Sequence, residues 1–523
     1  VTFNLADLFE RVAGAVPDRE AVVRGGQRLS YRALDARADT AAGALHAAGV
    51  GRGDVVALAL RNRPDYLALM LGAFKLSAVP VNVNYRYQGD EMLHVLADSA
   101  AKVLVHEPDL AAQVHALRAE LPGLLHTVDA ASLDEWLLGS PAPPRSTRSG
   151  DDTYVLYTGG TTGSPKGVVW RHEDIFFAAL GGGRRGGDPI TAPDEILDRL
   201  ADEPSRVLLV SPLIHGTAHW FAFLSLYAGN TVVLTDEPTF DPELVLDLVD
   251  QESVSYLVVV GDAFAAPLLD AVDTHPDRWD LTSLTVVISG GATLSPSIRR
   301  ALVDRLPWII VVDSYGTSET GGQGSRVYST GMQLDDGPPH FEPNEQTAVL
   351  DDDLRSVEPG SGVVGRVARR GHVPLAYLGD EEATAATFVE VGGVRWTLTG
   401  DHATVAEDGS VVLYGRGAST INSGGEKIHP EEVEAVLREH PAVLDALVVG
   451  VPDQRWGERV AAVVAVRPSH QVTPADLTRH CRSRLAGFKT PRDVALVDRV
   501  RRSESGKPDY RWARRHLAER ELG

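Results

Sequence analysis

Eight short apolar runs, at residues 55–60, 103–105, 154–157, 207–210, 231–234, 257–260, 285–288 and 309–312, punctuate the chain. Runs this short and this rich in Val, Ile and Leu suit strands buried on both faces. Most are separated by stretches of helical spacing, and each of those at 231–234, 257–260 and 285–288 precedes a turn and a helical pattern. Strands alternating with helices make crossover units and parallel sheets, so the fold class expected is α/β. Ligands in such sheets gather beyond the carboxyl ends of the strands, which makes the residues just after each run the informative ones. With 523 residues the chain is too long for one ordinary domain. Near the start, residues 5–15 carry helical spacing, and Leu29-Ser30-Tyr31 opens a second helix through Leu34 and Ala38.

The run at 154–157 leads into Tyr157-Thr158-Gly159-Gly160-Thr161-Thr162-Gly163-Ser164-Pro165-Lys166-Gly167. Glycines let backbone N–H groups face a ligand closely, threonines add hydroxyl donors, and Lys166 adds a cation. The sum is a loop suited to a polyphosphate. A Walker A loop is excluded, because Pro165 and Gly167 flank the lysine where that pattern needs Gly before it and Ser or Thr after it. The run at 309–312 leads into Asp313-Ser314-Tyr315-Gly316-Thr317-Ser318-Glu319-Thr320-Gly321. There an aromatic ring can stack on a base, hydroxyls can donate to a phosphate, and Glu319 can hold Mg²⁺ through oxygen.

Both segments resemble the adenylate-forming superfamily, which includes acyl-CoA synthetases, luciferases and peptide-synthetase adenylation domains. With Val168 to Asp174 following, the chain is most similar to actinobacterial fatty-acid and steroid-acid CoA ligases, over about residues 5–515. The resemblance implies ATP, Mg²⁺ and coenzyme A as cofactors and a small-molecule carboxylic acid as substrate. Thr158 and Glu319 become the metal residues, and Thr158, Gly159, Gly160, Thr161, Thr162, Gly163 and Lys166 cradle phosphates. Gly290, Gly291 and Ala292 pass along the adenine, with Asp313, Ser314, Tyr315, Gly316, Thr317 and Ser318 completing that side. Ser318 stands where the family pattern has Thr, a departure that keeps the hydroxyl. Thr399-Gly400-Asp401 matches the Thr-Gly-Asp whose carboxylate, here at a turn, accepts the ribose hydroxyls. Arg416 contacts ribose and phosphate, Gly424, Gly425 and Glu426 swing in for the thiol step, and Lys507 bridges substrate carboxylate and phosphate. His215 lines the substrate carboxylate region.

The domains implied are 1–415, with a small β-barrel-like antiparallel unit at 331–415, and a mobile α/β unit at 416–523. The pivot falls at Gly417-Ala418, where the usual polar residue is missing. Within the antiparallel unit, residues 363–368 and 411–414 read as strands. In the last unit, 446–451 and 460–466 read as strands, Pro430 starts a helix with acids in its first turn, and 477–485 forms another. The acid pocket draws on Trp220, Phe221, Phe223, Val260, Asp262, Phe264 and Ser314, and the three rings at 220–223 favour compact acids over a steroid. A second reading keeps the fold but changes the acceptor: a ligase of secondary metabolism, such as a diazotase that activates nitrite for an aryl amine.

Other features point away from different chemistry. Gly181 to Gly186 fits a dinucleotide-binding spacing, but no strand precedes it and a loop follows. His215 and His219 are four apart, yet no Glu lies between them and no third ligand is near in sequence. The formal charge of −22 argues against a nucleic-acid partner. No run reaches a membrane-spanning length. Cys481 is the sole cysteine, which excludes an internal disulfide and fits a cytoplasmic location. Assembly as a homodimer is compatible with all of this.

Overall fold

A computed structural model describes residues 2–140, 143, 147–158, 165–182, 188–235, 237, 239–292, 294–332, 340–416, 421–423, 426–453, 457–468, 470–485, 487–502 and 508–521. Among the described residues, strands assemble into sheets of 14, 7 and 5. The α/β expectation holds. In the largest sheet, Thr231–Leu234, Arg206–Leu209, Tyr256–Val259, Val286–Gly290 and Ile310–Thr317 lie side by side and parallel. Helices Pro242–Gln251, Asp262–Thr274 and Pro296–Arg305 return the chain between them, covering strands that are apolar on both faces. The seven-stranded sheet runs Ala376–Tyr377, Lys166–Arg171, Thr153–Thr158, Val79–Asn82, Val55–Ala59, Val103–His106 and His126–Asp129.

Several boundaries differ from expectation. Leu29 belongs to the strand Gln27–Ser30, and the helix begins at Tyr31, where Ser30 Oγ accepts from the Ala33 N–H at 3.2 Å. Strand Ile310–Thr317 does not stop before the second motif but carries it, because Gly321–Tyr328 pairs with it as an antiparallel hairpin. A bulge between Tyr315 and Gly316 accommodates this, and Gly316 is obligatory: a Cβ there would lie 2.2 Å from the Gly321 carbonyl oxygen.

The antiparallel strands Thr347–Leu350, Gly365–Arg370, Val394–Val405 and Val411–Arg416 join the largest sheet through His340–Pro343, which pairs with both Val411–Arg416 and Gly321–Tyr328. Val363 and Val364, expected in a strand, are exposed and precede it. Thr399-Gly400-Asp401 is not a turn but the middle of Val394–Val405, where the register shifts between His402 and Ala403.

The third sheet is built on the long antiparallel pair Val443–Asp453 and Gly457–Val466, joined by Asp493–Val497. Pro430 opens the helix Pro430–Arg438 as expected. The helix expected at 477–485 spans Pro474–Arg482, moved three residues earlier by the Thr473–Asp476 capping box. Among the described residues, no helix is long and apolar enough to cross a membrane.

Candidate active site

The two motifs meet at the carboxyl ends of both large sheets. Thr158 closes its strand opposite Lys166, which is itself the first residue of the antiparallel strand Lys166–Arg171. Gly159, Gly160, Thr161, Thr162, Gly163 and Ser164 lie outside the described residues. A side chain at Gly167 would crowd the Tyr157 ring, since a Cβ would lie 3.0 Å from it. Asn82, buried, donates to the carbonyls of Tyr157 at 2.8 Å and Ile214 at 2.7 Å, and accepts from the Tyr157 N–H at 2.7 Å. One amide thus fixes the end of the Thr158 strand against the segment that presents His215. The sequence reading missed it, because a single Asn at a strand end carries no motif.

On the motif side, Tyr315 stacks on Phe341 with centroids 4.6 Å apart and donates its hydroxyl to Asp401 Oδ2 at 2.7 Å. Phe341 therefore covers one face of the ring proposed for adenine. Asp401 is buried, and its N–H donates to Thr399 Oγ1 at 3.2 Å. Trp170 Nε1 donates to the Ser318 carbonyl at 3.1 Å, tying the Lys166 strand to the motif turn. Glu319 accepts from the Tyr377 hydroxyl at 2.9 Å. Asp313 is pushed up to about 7 by burial, although Arg299, 3.4 Å away, pulls against it.

Glu319 brings one carboxylate, and no group of three or more His, Cys, Asp or Glu gathers as a metal cage among the described residues. That donor set fits Mg²⁺, which takes one or two carboxylates plus substrate phosphates rather than an all-protein cage.

The acid side divides in two. Gly291, at φ +86°, brings its Cα where a Cβ would lie 2.9 Å from Thr217 Oγ1 and 3.7 Å from Val260 Cγ1. Gly290 pairs in register with Ser314. Val260, Gly290, Gly291, Ser314 and the start of helix Gly216–Tyr227 therefore converge, with His215 at that helix's N-cap position. Asp262 and Phe264 instead face a cavity of 810 Å³ shared with Phe240, Arg86, Arg438 and Trp512. Asp262 Oδ1 accepts from the Ser295 N–H at 2.7 Å; burial raises its pKa, and Arg438 from the last unit opposes that.

His215 and His219 do not form a metal pair. His219 turns into the core beside Tyr66, Tyr154 and Phe223, and burial drives its pKa down to about 3. Phe223, expected in the pocket, is core as well, packed on Phe74 and Tyr227. Trp220 is half-buried and donates from Nε1 to the Tyr154 hydroxyl at 3.2 Å; Phe221 is half-buried too. Gly424, Gly425 and Lys507 lie outside the described residues, as do the side chains of Arg416 and Glu426 and the expected pivot at 417–418.

Residues 9–376 match the family model described as AMP-binding enzyme, and residues 432–507 match that of the AMP-binding enzyme C-terminal domain. A 3-oxocholest-4-en-26-oate–CoA ligase from Rhodococcus rhodochrous is 42% identical over 98% of this chain and 96% of its own. A medium/long-chain-fatty-acid–CoA/3-oxocholest-4-en-26-oate–CoA ligase from Mycolicibacterium smegmatis is 43% identical over 99% of this chain and 97% of its own. Among solved structures, ATP-bound MatB from Rhodopseudomonas palustris superposes with a TM-score of 0.84 at 26% identity, covering 99% of each chain.

Proposed function

The chain belongs to the AMP-binding enzyme family, and on that premise we propose that its acid is a medium- or long-chain fatty acid. It is an ATP-dependent, AMP-forming acid–CoA ligase with Mg²⁺ as cofactor. A carboxylate attacks the α-phosphate of ATP to give an acyl-adenylate and pyrophosphate. The thiol of CoA then displaces AMP and leaves a thioester.

The observation that carries the acid class is the near-complete match to ligases named for fatty and steroid side-chain acids. Those two acids share an aliphatic carboxyl end. The local structure agrees: with Phe223 in the core and Trp220 held by Tyr154, the rings that argued for a compact acid are reduced to two.

The residue roles belong to the same reading, and the contacts of Tyr315, Asp401 and Glu319 support theirs. Tyr315 and Asp401, joined by one hydrogen bond, take the adenine face and the ribose hydroxyls. Glu319 and Thr158 hold Mg²⁺, which when bound neutralises phosphate charge. Lys166 and Lys507 supply cations where charge develops on the phosphates, and position and charge rather than covalent chemistry lower the barrier. His215, whose neighbour Ile214 is tied through Asn82 to Tyr157, receives the acid's carboxylate. The unit 416–523 rotates against 1–415 between the two half-reactions. A cytoplasmic location, where ATP and CoA are available, belongs to this reading.

The test is mass spectrometry of the protein with ATP, Mg²⁺, CoA and a mixed panel of fatty, aryl and steroid acids, plus nitrite with an aminobenzoate. A fatty acyl-CoA as the main product supports the reading. An aryl or steroid thioester alone overturns the acid class, and AMP without thioester only when nitrite and amine are present overturns the acceptor.

A further inference from the structure

We propose that Tyr377 is a positioning residue of the nucleotide site, holding the Glu319 carboxylate for Mg²⁺ and keeping the Lys166 ammonium apart from it. The proposal rests on the roles given to Glu319 and Lys166 above. Nothing in the sequence reading pointed to Tyr377, which lies 58 positions from Glu319.

The ring is delivered by backbone pairing. Ala376–Tyr377 forms an antiparallel edge on Val168 and Val169 of the Lys166–Arg171 strand. The Leu375 N–H donates to the Val169 carbonyl at 2.7 Å and the Leu378 N–H to that of Gly167 at 2.8 Å. The turn that follows is equally fixed. The Tyr377 N–H donates to Thr384 Oγ1 at 3.0 Å, and that hydroxyl donates to the Asp380 carbonyl at 2.6 Å. Asp380 Oδ1 caps the helix Glu381–Thr387 by accepting from the Ala383 N–H at 2.9 Å.

Two charged groups then meet one phenol. The hydroxyl donates to Glu319 Oε1 at 2.9 Å, and Lys166 Nζ sits 5.3 Å from the ring centroid. Lys166 pairs with Asp380 Oδ2 at 2.8 Å. The phenol offers its donor edge to the Glu319 carboxylate and its π face to the Lys166 ammonium, so each charge is engaged by the ring rather than by the other. The pair that Lys166 makes with Asp380 is more than a third exposed on both sides, so water and salt weaken it. A phosphate can displace that pair at little cost. Tyr377 thereby keeps both charges available before ATP arrives.

The test is calorimetric titration of the full chain with ATP, without acid, in EDTA and in Mg²⁺, for the wild type, Tyr377→Phe and Glu319→Gln. The phenylalanine keeps the ring and the backbone pairing and removes only the hydroxyl. The expected result is unchanged ATP affinity in EDTA and a roughly tenfold smaller gain on adding Mg²⁺ for Tyr377→Phe. A full Mg²⁺ gain in Tyr377→Phe, with the gain lost in Glu319→Gln, overturns the positioning role and leaves the Glu319 reading standing. A full gain in both variants overturns the Glu319 reading and this proposal with it. Equal loss in EDTA and in Mg²⁺ for Tyr377→Phe also overturns it, because a merely structural role acts on both.

Discussion

Tyr315 donates its hydroxyl to Asp401 Oδ2 at 2.7 Å, joining two motif residues that stand 86 positions apart. The strands that carry them, Ile310–Thr317 and Val394–Val405, are not neighbours in the sheet; Gly321–Tyr328, His340–Pro343 and Val411–Arg416 intervene in the pairing path. Phe341, on one of those intervening strands, stacks on the same ring. The ring and the carboxylate are therefore set relative to each other before nucleotide arrives, which lowers the ordering cost of binding.

That coupling is measurable. Tyr315→Phe keeps the ring but removes the hydroxyl, and we expect ATP to bind roughly tenfold more weakly. Asp401→Asn should cost more, because it loses the ionised acceptor for ribose as well. In a double-mutant cycle the combined loss should fall short of the sum, as for any pair in contact. Additive losses in calorimetric titrations would show that the hydrogen bond does not preorganise the site.

Two buried histidines set an acid limit on stability. Burial holds His172 down to about 4 and His219 down to about 3, from an ordinary value of 6.5. The folded pKa is the lower one in both cases, so unfolding takes up protons once the pH falls below about 6.5. Stability present above that pH is lost as the pH drops toward 4. Urea unfolding at pH 7, 6 and 5 should show a decline of up to about 1.4 kcal/mol per unit for each histidine. His219→Gln should remove about half of that slope, and an unchanged slope would place the acid sensitivity elsewhere.

How much of this was legible depends on which faces a residue serves. Strands such as Val55–Ala59 and Arg206–Leu209 are covered on both sides, and their apolar runs announced them. Val79–Asn82 was not visible, because Pro80 breaks the pattern and Asn82 spends its side chain on the Tyr157 and Ile214 carbonyls. Pro80 is tolerated since the register to Thr153–Thr158 runs through Val81 and Val155. Likewise Tyr377 and Phe341 matter only through partners brought in from other strands, which no local spacing records. The glycine-rich and Tyr-Gly motifs were legible for the opposite reason: backbone approach dictates them locally, as the 2.2 Å limit at Gly316 shows.

Lys507 is expected to act in the first half-reaction only. Lys507→Ala should abolish acid-dependent pyrophosphate release while thioester still forms from supplied acyl-adenylate. The reason is that its cation is needed where charge develops on the α-phosphate and the leaving pyrophosphate, and displacement of AMP by a thiol does not require it there. Equal loss in both assays would contradict the alternation of the unit 416–523 between two orientations.

Trp220 is the residue on which acid selectivity should turn. Its indole is half-buried, and a Cβ at Gly216, one helical turn earlier, would lie 3.8 Å from it, so the ring folds back over the start of its own helix beside His215. The hydrogen bond from Nε1 to the Tyr154 hydroxyl, 3.2 Å, fixes its orientation, and that hydroxyl also meets His219 Nε2 at 3.3 Å. Trp220→Ala should therefore open volume near the acid's carboxyl end and raise kcat/KM for branched or bulky acids relative to straight chains. Tyr154→Phe keeps the volume but frees the indole, so it should blur selectivity without shifting its size optimum. If Trp220 is core alone, Trp220→Ala will lower the melting temperature and leave the ratio of kcat/KM values between acids where it was. Competing acids assayed together in one reaction would read that ratio directly, independent of how much protein remains folded.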